Sequence, residues 1–269
     1  MRTILHLSDI HMGRIDPSLV ATLSSTIRRV APDLVAISGD FTQRARDTEF
    51  QQARRFIDSL QRRVLVVPGN HDVPLWNVVR RFVTPLERYK RHISSNLEPV
   101  VEDEEMIVVG VNTARSWTWG EGRINEAQVE AIVNRLARVA PEKVRIVVTH
   151  HPFDLPPGVG EQRLLGRAHM AMARLAAANA DLFLSGHLHI SHITHSAERY
   201  KIEGHSALIV QAGTVSLRGR GEQPSFNLLK IERPAIAVSR YAWDPAAGAF
   251  IETAAGRFTH GADGWKADS

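Results

Sequence analysis

The stretch Val64-Leu-Val-Val-Pro-Gly-Asn-His-Asp72 joins an apolar run directly to a group of polar side chains. Two other apolar runs, Leu34-Val-Ala-Ile37 and Ile146-Val-Val148, are also followed by polar residues. Runs without polar residues are typical of strands that are covered on both faces. Ligands of open α/β sheets bind beyond the carboxyl ends of the strands. The pattern therefore predicts a layered α/β domain with a functional site at these strand ends.

Short apolar runs alternate with amphipathic stretches over most of the chain, which is the pattern of an α/β domain. We expect strands at Thr3–Leu7, Leu34–Ser38, Val64–Val67, Met106–Val111, Val144–Thr149, Asp181–Ser185, Ala207–Gln211, Ser225–Ile231 and Ile236–Tyr241. Helical periods predict helices over 19–30, 50–60, 129–139 (with Asn125 as N-cap) and 168–178. The strand-rich last third is expected to complete the sheet with antiparallel strands.

The composition is that of a globular protein, with 43% hydrophobic and 23% charged residues in a chain of 269. The chain contains no cysteine, which excludes a disulfide framework and a thiolate metal site. A net charge of +4 favours anionic substrates or surfaces but is too small to indicate nucleic acid. The first apolar run is too short for a signal peptide, and no window has the ~20 apolar residues of a membrane span. We therefore expect a cytoplasmic protein.

Five short motifs follow the predicted strands. They are Asp9-Ile10-His11, Gly39-Asp40, Gly69-Asn70-His71-Asp72, His150-His151 and Gly186-His187-Leu188-His189. Together they supply carboxylate, amide and imidazole groups, the mixed oxygen and nitrogen set that suits transition-metal ions. The glycines before the ligand residues permit sharp backbone turns. The motifs therefore predict a binuclear metal hydrolase of phosphate esters.

The five motifs, in this order, resemble the calcineurin-like metallophosphoesterase superfamily over roughly residues 1–216. Within it, the segments Ser8–Gly13, Val67–Asp72 and Ala212–Thr214 are similar to bacterial class III cyclic-nucleotide phosphodiesterases and their glycerophosphodiesterase relatives. The resemblance implies a four-layer α/β/β/α sandwich of two mixed sheets. It also implies a dimetal site at the carboxyl ends of the strands, on the edge between the sheets.

The resemblance further implies a role for each motif residue. One metal is assigned Asp9, His11 and His189, the other Asn70, His150 and His187, and Asp40 bridges both. Manganese or an iron-containing pair is favoured, with zinc and cobalt as alternatives. His71 would touch the phosphate and protonate or stabilise the leaving oxygen while a metal-bridging hydroxide attacks in line, and Asp72 would orient the His71 ring. His150 is favoured over His151 as the ligand because it directly ends the strand.

Residues 75–100 contain a basic stretch with aromatic side chains between the charges. The basic residues are Arg80, Arg81, Arg88, Lys90 and Arg91, and the aromatic ones are Trp76, Phe82 and Tyr89. One interpretation is a solvated helix with its apolar side packed. The other is a lid that steers anions, stacks on a base or contacts a lipid surface. Trp117 and Trp119 are interpreted either as packed loop residues or as stacking partners of an aromatic substrate.

We assign residues 1–243 to the catalytic domain, with 75–100 as a candidate lid or cap, and residues 244–269 to a loosely packed C-terminal tail. The favoured substrate is a small phosphodiester, first of all a cyclic nucleotide. The alternatives are a glycerophosphodiester, a phospholipid or a nucleotide-lipid phosphoester, then a nuclease substrate, and finally a non-catalytic scaffold. We expect no stable nucleic-acid partner, and leave weak membrane-surface contact and a homodimer open.

Overall fold

Two mixed β-sheets form the centre of the molecule in this computed structural model, which describes residues 1–268. The seven-stranded sheet contains β1 (Arg2–Leu7), β2 (Leu34–Ile37), β3 (Val64–Val66), β10 (Ser225–Glu232), β11 (Ala235–Asp244), β12 (Ala249–Gly261) and β13 (Gly264–Ala267). Its spatial order is β13-β12-β11-β10-β1-β2-β3. The strands β1, β2 and β3 pair in parallel and the others antiparallel.

The second sheet has six strands. They are β4 (Val100–Glu102), β5 (Met106–Gly110), β6 (Val144–Val148), β7 (Leu182–Ser185), β8 (His192–His195) and β9 (Leu208–Gln211). Their spatial order is β4-β5-β6-β7-β9-β8, and only the two edge strands β4 and β8 pair antiparallel. The predicted central strands are confirmed to within one or two residues at most ends, whereas the short edge strands β4 and β8 were not predicted.

Within the described residues 1–268, seven α-helices connect the strands. They are α1 (Pro17–Val30), α2 (Asp47–Leu60), α3 (Val78–Val83), α4 (Glu87–His92), α5 (Glu126–Leu136), α6 (Ala168–Ala177) and α7 (Ser196–Tyr200). The predicted N-cap is confirmed, because the Asn125 side chain accepts a hydrogen bond from the Gln128 backbone N–H at 2.8 Å. No helix within residues 1–268 is long and apolar enough to cross a membrane.

The side chains of the central strands alternate between separate apolar cores, as the two-residue period of a strand requires. On β1, Ile4 points into the core between the sheets, while Leu5 and Leu7 pack under α1 and α2. On β6, Ile146 lies between the sheets and Val147 packs under α5 and α6. Three cores separate four layers, so the predicted four-layer α/β/β/α sandwich of two mixed sheets is confirmed.

Residues 75–100 form two short helices rather than one. On α4 and just beside it, Leu86, Tyr89 and Ile93 are buried in the core under α2, as the packed-helix interpretation expects. On α3 the apolar side chains are exposed, while Arg81 is buried. The two halves of the segment therefore differ, and only α4 follows the packed-helix pattern.

The C-terminal residues differ from the loosely packed tail that we expected after residue 243. That boundary falls inside β11, and β12 and β13 extend the same sheet by two strands. Trp265 on β13 is 1% exposed and lies in the core between the sheets. Its indole N–H donates to the Asp181 carboxylate at 2.9 Å, just before β7 of the other sheet. The C-terminal strands therefore tie the two sheets together.

We predict that Trp265→Ala lowers the free energy of unfolding by about 3–5 kcal/mol, because it removes a large buried aromatic side chain and leaves a cavity. Urea denaturation followed by circular dichroism measures the change. Lys266→Ala is the matched control, since that side chain is 64% exposed and points away from the core. A change below about 1 kcal/mol for Trp265→Ala would show that β13 is not an integral part of the sandwich.

Candidate metal centre

The five motifs meet at one edge of the sandwich, where the carboxyl ends of β1, β2 and β3 face those of β6 and β7. The first sheet contributes the segments after β1, β2 and β3, and the second contributes those after β6 and β7. All seven predicted metal ligands are 9% exposed or less: Asp9, His11, Asp40, Asn70, His150, His187 and His189. The structure thus brings together residues that are up to 180 positions apart in the chain.

The Asp40 carboxylate lies at the centre of the group. Its Oδ2 atom is 3.7 Å from Nε2 of His11 and 3.4 Å from Nε2 of His150. Its Oδ1 atom accepts a hydrogen bond from the His71 backbone N–H at 2.8 Å. One oxygen is therefore held by the protein, and the other lies within 4 Å of two histidines. That position is the one expected of a carboxylate that bridges two ions.

Asp9 divides its two oxygens in the same way. Oδ2 accepts hydrogen bonds from the Ser8 hydroxyl at 2.6 Å and the His187 backbone N–H at 2.9 Å. Oδ1 lies 3.0 Å from Nε2 of His189 and 3.5 Å from Nε2 of His11, and no well-aligned donor satisfies it. A buried carboxylate oxygen without a donor is costly in a folded protein. A cation at this point would satisfy it.

Backbone carbonyls fix the orientation of three of the imidazole rings. The Nδ1 atoms of His11, His150 and His189 lie 3.2, 2.7 and 3.0 Å from the carbonyl oxygens of Thr42, Ser38 and Arg218. A ring that donates from Nδ1 presents the lone pair of Nε2, which is the arrangement found around metal-binding histidines. The Nε2 atom of His187 is buried without a hydrogen-bond partner. The Nε2 atoms of these rings therefore face the centre, where they can serve as nitrogen ligands.

Electrostatics also favour cations here. Within residues 1–268, the ion-pair partners of Asp9 and Asp40 are all histidines, and neither carboxylate pairs with a lysine or arginine. Burial by itself lowers the pKa of His150, yet the charges of Asp40 and Asp9 raise that pKa to about 9. Burial lowers the pKa of His187 to about 3, so that ring is neutral at ordinary pH. The net effect is a buried anionic centre lined by imidazole nitrogens.

The ligand residues adopt a strained backbone. Asp9, His11, Asp40, His187 and His189 all have φ between 47° and 73°, the left-handed region that such residues rarely occupy. Strain of this kind clusters at functional sites, where the surrounding structure enforces it. Gly69 serves a different need, because a Cβ atom there would lie 2.1 Å from Oδ1 of Asp40. Gly69 is therefore required by close approach, whereas we had expected it to permit a sharp turn.

His71 lies beside the centre, but Asp72 does not orient it as we expected. The Nδ1 atom of His71 lies 2.9 Å from the Gln43 carbonyl oxygen, which fixes the ring. The Asp72 carboxylate instead accepts hydrogen bonds from the backbone N–H groups of Gly69 and Thr42, at 2.9 and 3.0 Å. Asp72 contacts the backbone because it joins two loops whose own N–H groups lack other acceptors. Its effect on His71 is therefore indirect, through the position of the loop.

The two adjacent histidines occupy different places. His150 reaches both Asp40 and Asn70, whose Oδ1 atom lies 3.1 Å from Nε2 of His150. His151 is also fully buried, and its Nδ1 atom lies 2.8 Å from the Thr113 hydroxyl. His150, His151 and His187 are close enough to share one ion. Of the adjacent pair, His150 is the one next to the Asp40 carboxylate, and the choice of His150 as the ligand stays a prediction.

Arg218 is a residue of the centre that the sequence did not reveal. Its Nη1 atom lies 3.3 Å from Nε2 of His11 and 3.4 Å from Nε2 of His71. It reaches the centre from the loop after β9, which follows the Ala212-Gly213-Thr214 motif. An arginine between a ligand and His71 adds a permanent positive charge where an anion would enter. The only signal in the sequence is a basic residue shortly after that motif.

The calcineurin-like phosphoesterase family model matches residues 2–191. This match covers most of the chain and includes all five motifs, so the chain belongs to the calcineurin-like phosphoesterase family. A dimetal phosphatase from Danio rerio has a similar fold, with a TM-score of 0.68 at 12% sequence identity, over 93% of this chain and 98% of that one.

Two curated relatives are similar in sequence over shorter stretches. A glycerophosphodiester phosphodiesterase from Enterobacter lignolyticus is 38% identical over 64 residues, which is 24% of this chain and 22% of the relative. A probable glycerophosphodiester phosphodiesterase from Arcobacter nitrofigilis is 26% identical over 125 residues, which is 46% of this chain and 44% of the relative. In both cases the match spans less than half of the relative's length.

We predict that Asp40→Ala abolishes metal retention, because it removes the carboxylate whose Oδ2 atom lies within 4 Å of Nε2 of both His11 and His150. After incubation with Mn²⁺ and gel filtration, elemental analysis should find metal in the wild type and almost none in the variant. Added Mn²⁺ should also raise the melting temperature of the wild type alone.

Two variants control for this measurement. Asp58→Ala makes the same change at a carboxylate that is 57% exposed on α2, and it should retain metal as the wild type does. His71→Ala leaves every proposed ligand in place and should also retain it. Full metal content in Asp40→Ala would remove Asp40 from the ligand set.

Proposed function

We propose that this member of the calcineurin-like phosphoesterase family is a metal-dependent phosphodiesterase that hydrolyses small phosphodiesters with two bound transition-metal ions. The observation that supports this most is the Asp40 carboxylate, whose Oδ2 atom lies 3.7 Å from Nε2 of His11 and 3.4 Å from Nε2 of His150. Each histidine belongs to a different proposed ligand group, so Asp40 would be shared by a pair of ions about 3.5–4 Å apart.

The first ion would be held by Asp9, His11 and His189, which are close enough to share one ion. The second would be held by Asn70, His150 and His187, with Asp40 common to both ions. When bound, such ions act as Lewis acids that polarise the phosphoryl oxygens. Imidazole and carboxylate ligands accept manganese, iron, zinc or cobalt, and we favour manganese or an iron-containing pair.

His71 and Arg218 are the groups that would contact the phosphate directly. The Nδ1–H group of His71 donates to the Gln43 carbonyl, so Nε2 carries a proton when the ring is in the imidazolium form. In that form Nε2–H would deliver its proton to the leaving oxygen and leave the ring neutral. Arg218 Nη1 lies 3.4 Å from this Nε2 atom and can neutralise charge on a phosphoryl oxygen. We therefore assign proton delivery to His71 and charge stabilisation to Arg218.

We place glycerophosphodiesters first among the substrates, because both curated relatives carry that activity in their names. A cyclic nucleotide, the class favoured by sequence, is the second candidate. One observation supports it: Trp117 and Trp119 are 83% and 68% exposed, so their rings are free to stack on a base. Both classes contain a phosphodiester linkage and differ in the alcohols attached to it. Comparing the hydrolysis rates of the two classes therefore decides between them.

We expect hydrolysis of glycerophosphocholine that requires Mn²⁺ and stops on addition of EDTA. The comparison panel contains 3′,5′-cAMP, 2′,3′-cAMP, bis-(p-nitrophenyl) phosphate and a lipid phosphodiester, each measured as a steady-state rate. Faster turnover of a cyclic nucleotide would move that class to first place. Turnover of the nitrophenyl ester alone would support the phosphoester chemistry and reject both classes. If no substrate were hydrolysed with manganese, iron, zinc or cobalt, the enzymatic role would be contradicted. The non-catalytic scaffold would then be the remaining interpretation.

His71→Ala should slow the best natural substrate about 10²–10⁴-fold, because an alkoxide needs a proton as it leaves. The same variant should slow bis-(p-nitrophenyl) phosphate much less, since nitrophenolate leaves without a proton. Arg218→Gln should slow both substrates alike, by about a hundredfold, because it acts on phosphoryl charge. The ratio of the two rates in each variant is the measurement. Equal losses for both substrates in His71→Ala would rule out proton delivery by that residue.

A further inference from the structure

Seven large apolar side chains are exposed together beside the metal centre. They are Trp76, Val78, Val79, Phe82, Val83, Trp117 and Trp119, and we call this group the apolar rim. Within residues 1–268, the apolar rim contains seven of the eleven large hydrophobic residues that are exposed. Single exposed apolar residues are ordinary, but a contiguous group of this size marks a surface that interacts with something.

The apolar rim is one continuous structure rather than scattered side chains. The rings of Phe82 on α3 and Trp117 in the loop after β5 have their centroids 4.7 Å apart. The buried Arg81 guanidinium donates to the carbonyl oxygens of Ser116 and Thr118 and lies 4.5 Å from the centroid of the Trp119 ring. Arg81 therefore fixes the loop against the helix and holds both tryptophans outward.

The side chains of the apolar rim project outward instead of lining a groove. Trp76, just before α3, is 79% exposed, and Val79 and Val83 on α3 are each 72% exposed. The four-residue spacing of the two valines places them on one side of the helix. Deep pockets receive single side chains of a partner protein, whereas a projecting row of tryptophan and valine suits insertion between lipid headgroups. Tryptophan in particular favours the boundary between water and lipid.

The charges around the apolar rim are complementary to an anionic surface. Between residues 75 and 95 the chain has five basic residues and one acidic residue, Glu87. Arg80, Arg88 and Arg91 line a cavity of about 250 Å³ next to α3 together with Asp47 and Glu87, which form ion pairs with Arg88 and Arg91. The exposed Arg80 and Lys90 are not part of these pairs and supply the positive charge of this border. A symmetric dimer through this surface would bring the same basic groups of two copies together, which is unfavourable. An anionic bilayer would instead attract each of them.

From these observations we propose that the apolar rim and its basic border dock the protein on membranes that contain anionic phospholipid. The rim adjoins the metal centre, since the loop that carries Trp117 and Trp119 continues to Gly122, where a Cβ atom would lie 2.1 Å from the His151 ring. Docking would hold the opening of the centre at the lipid surface. Membrane docking is a property separate from the proposed activity, and it does not depend on which phosphodiester is hydrolysed.

The test is sedimentation of the full chain with vesicles, without substrate. Vesicles of phosphatidylcholine alone are compared with vesicles of phosphatidylcholine and phosphatidylglycerol. We expect binding to the mixed vesicles that weakens as salt is added. The triple variant Trp76→Ala/Val79→Ala/Val83→Ala should bind at least about tenfold more weakly. The double variant Arg80→Gln/Arg91→Gln should have an affinity for the anionic vesicles that is lower by about fivefold for each arginine removed.

The double variant Ile193→Ala/Ile251→Ala removes exposed apolar side chains elsewhere on the surface and should bind as the wild type does. Circular dichroism and hydrolysis of bis-(p-nitrophenyl) phosphate in solution check that every variant is folded. Failure of the wild type to bind mixed vesicles, or equal binding by the triple variant, would overturn the proposal. The proposal would also be overturned if light scattering showed that the wild type is a dimer and the triple variant a monomer, while the wild type bound no vesicles. That result would make the apolar rim a dimer interface.

Discussion

Two buried carboxylates, Asp9 and Asp40, are the constraint that the centre depends on. Each directs one oxygen to protein donors and the other towards imidazole nitrogens in the same small volume. Carboxylates buried without a lysine or arginine are unfavourable unless a cation compensates them. Asp9, Asp40 and Asn70 follow strands of one sheet, while His150, His187 and His189 follow strands of the other. Neither sheet holds all the proposed ligands alone, so the face-to-face packing of the sandwich brings them together.

This assembly has a cost in the folded protein. Five ligand residues have a left-handed backbone, and strain of this kind costs of order 1–3 kcal/mol for each residue. The strands before them are apolar on both faces and are buried between helices and the opposite sheet. A rigid, well-packed support of this type can enforce conformations that an isolated loop would leave. The packing of the extensive cores therefore offsets the backbone strain at the strand ends.

The sequence predicted the features that depend on neighbouring residues and missed those that depend on distant ones. The central strands, and the residues that meet at their carboxyl ends, were predicted because each motif directly follows its own apolar run. The partner of Asp72 was not found, because that carboxylate contacts Thr42, thirty positions earlier. Arg218 reaches His71 across 147 positions and leaves no local pattern. The strand β12 was not predicted, because residues 251–255 are exposed on both faces and its apolar residues therefore do not alternate.

Arg81 links the surface of the molecule to its metal centre. A buried guanidinium must satisfy its donors, and Arg81 does so with carbonyl oxygens of Pro74, Ser116 and Thr118. These hydrogen bonds join the segment after the Asn70 motif to the loop after β5, and that loop ends against the His151 ring. The helix α3 is therefore fixed to the segments that carry the ligands. Because the connection passes through a buried ionic group rather than a flexible linker, a surface that binds the apolar rim would be held in a fixed position relative to Asp40.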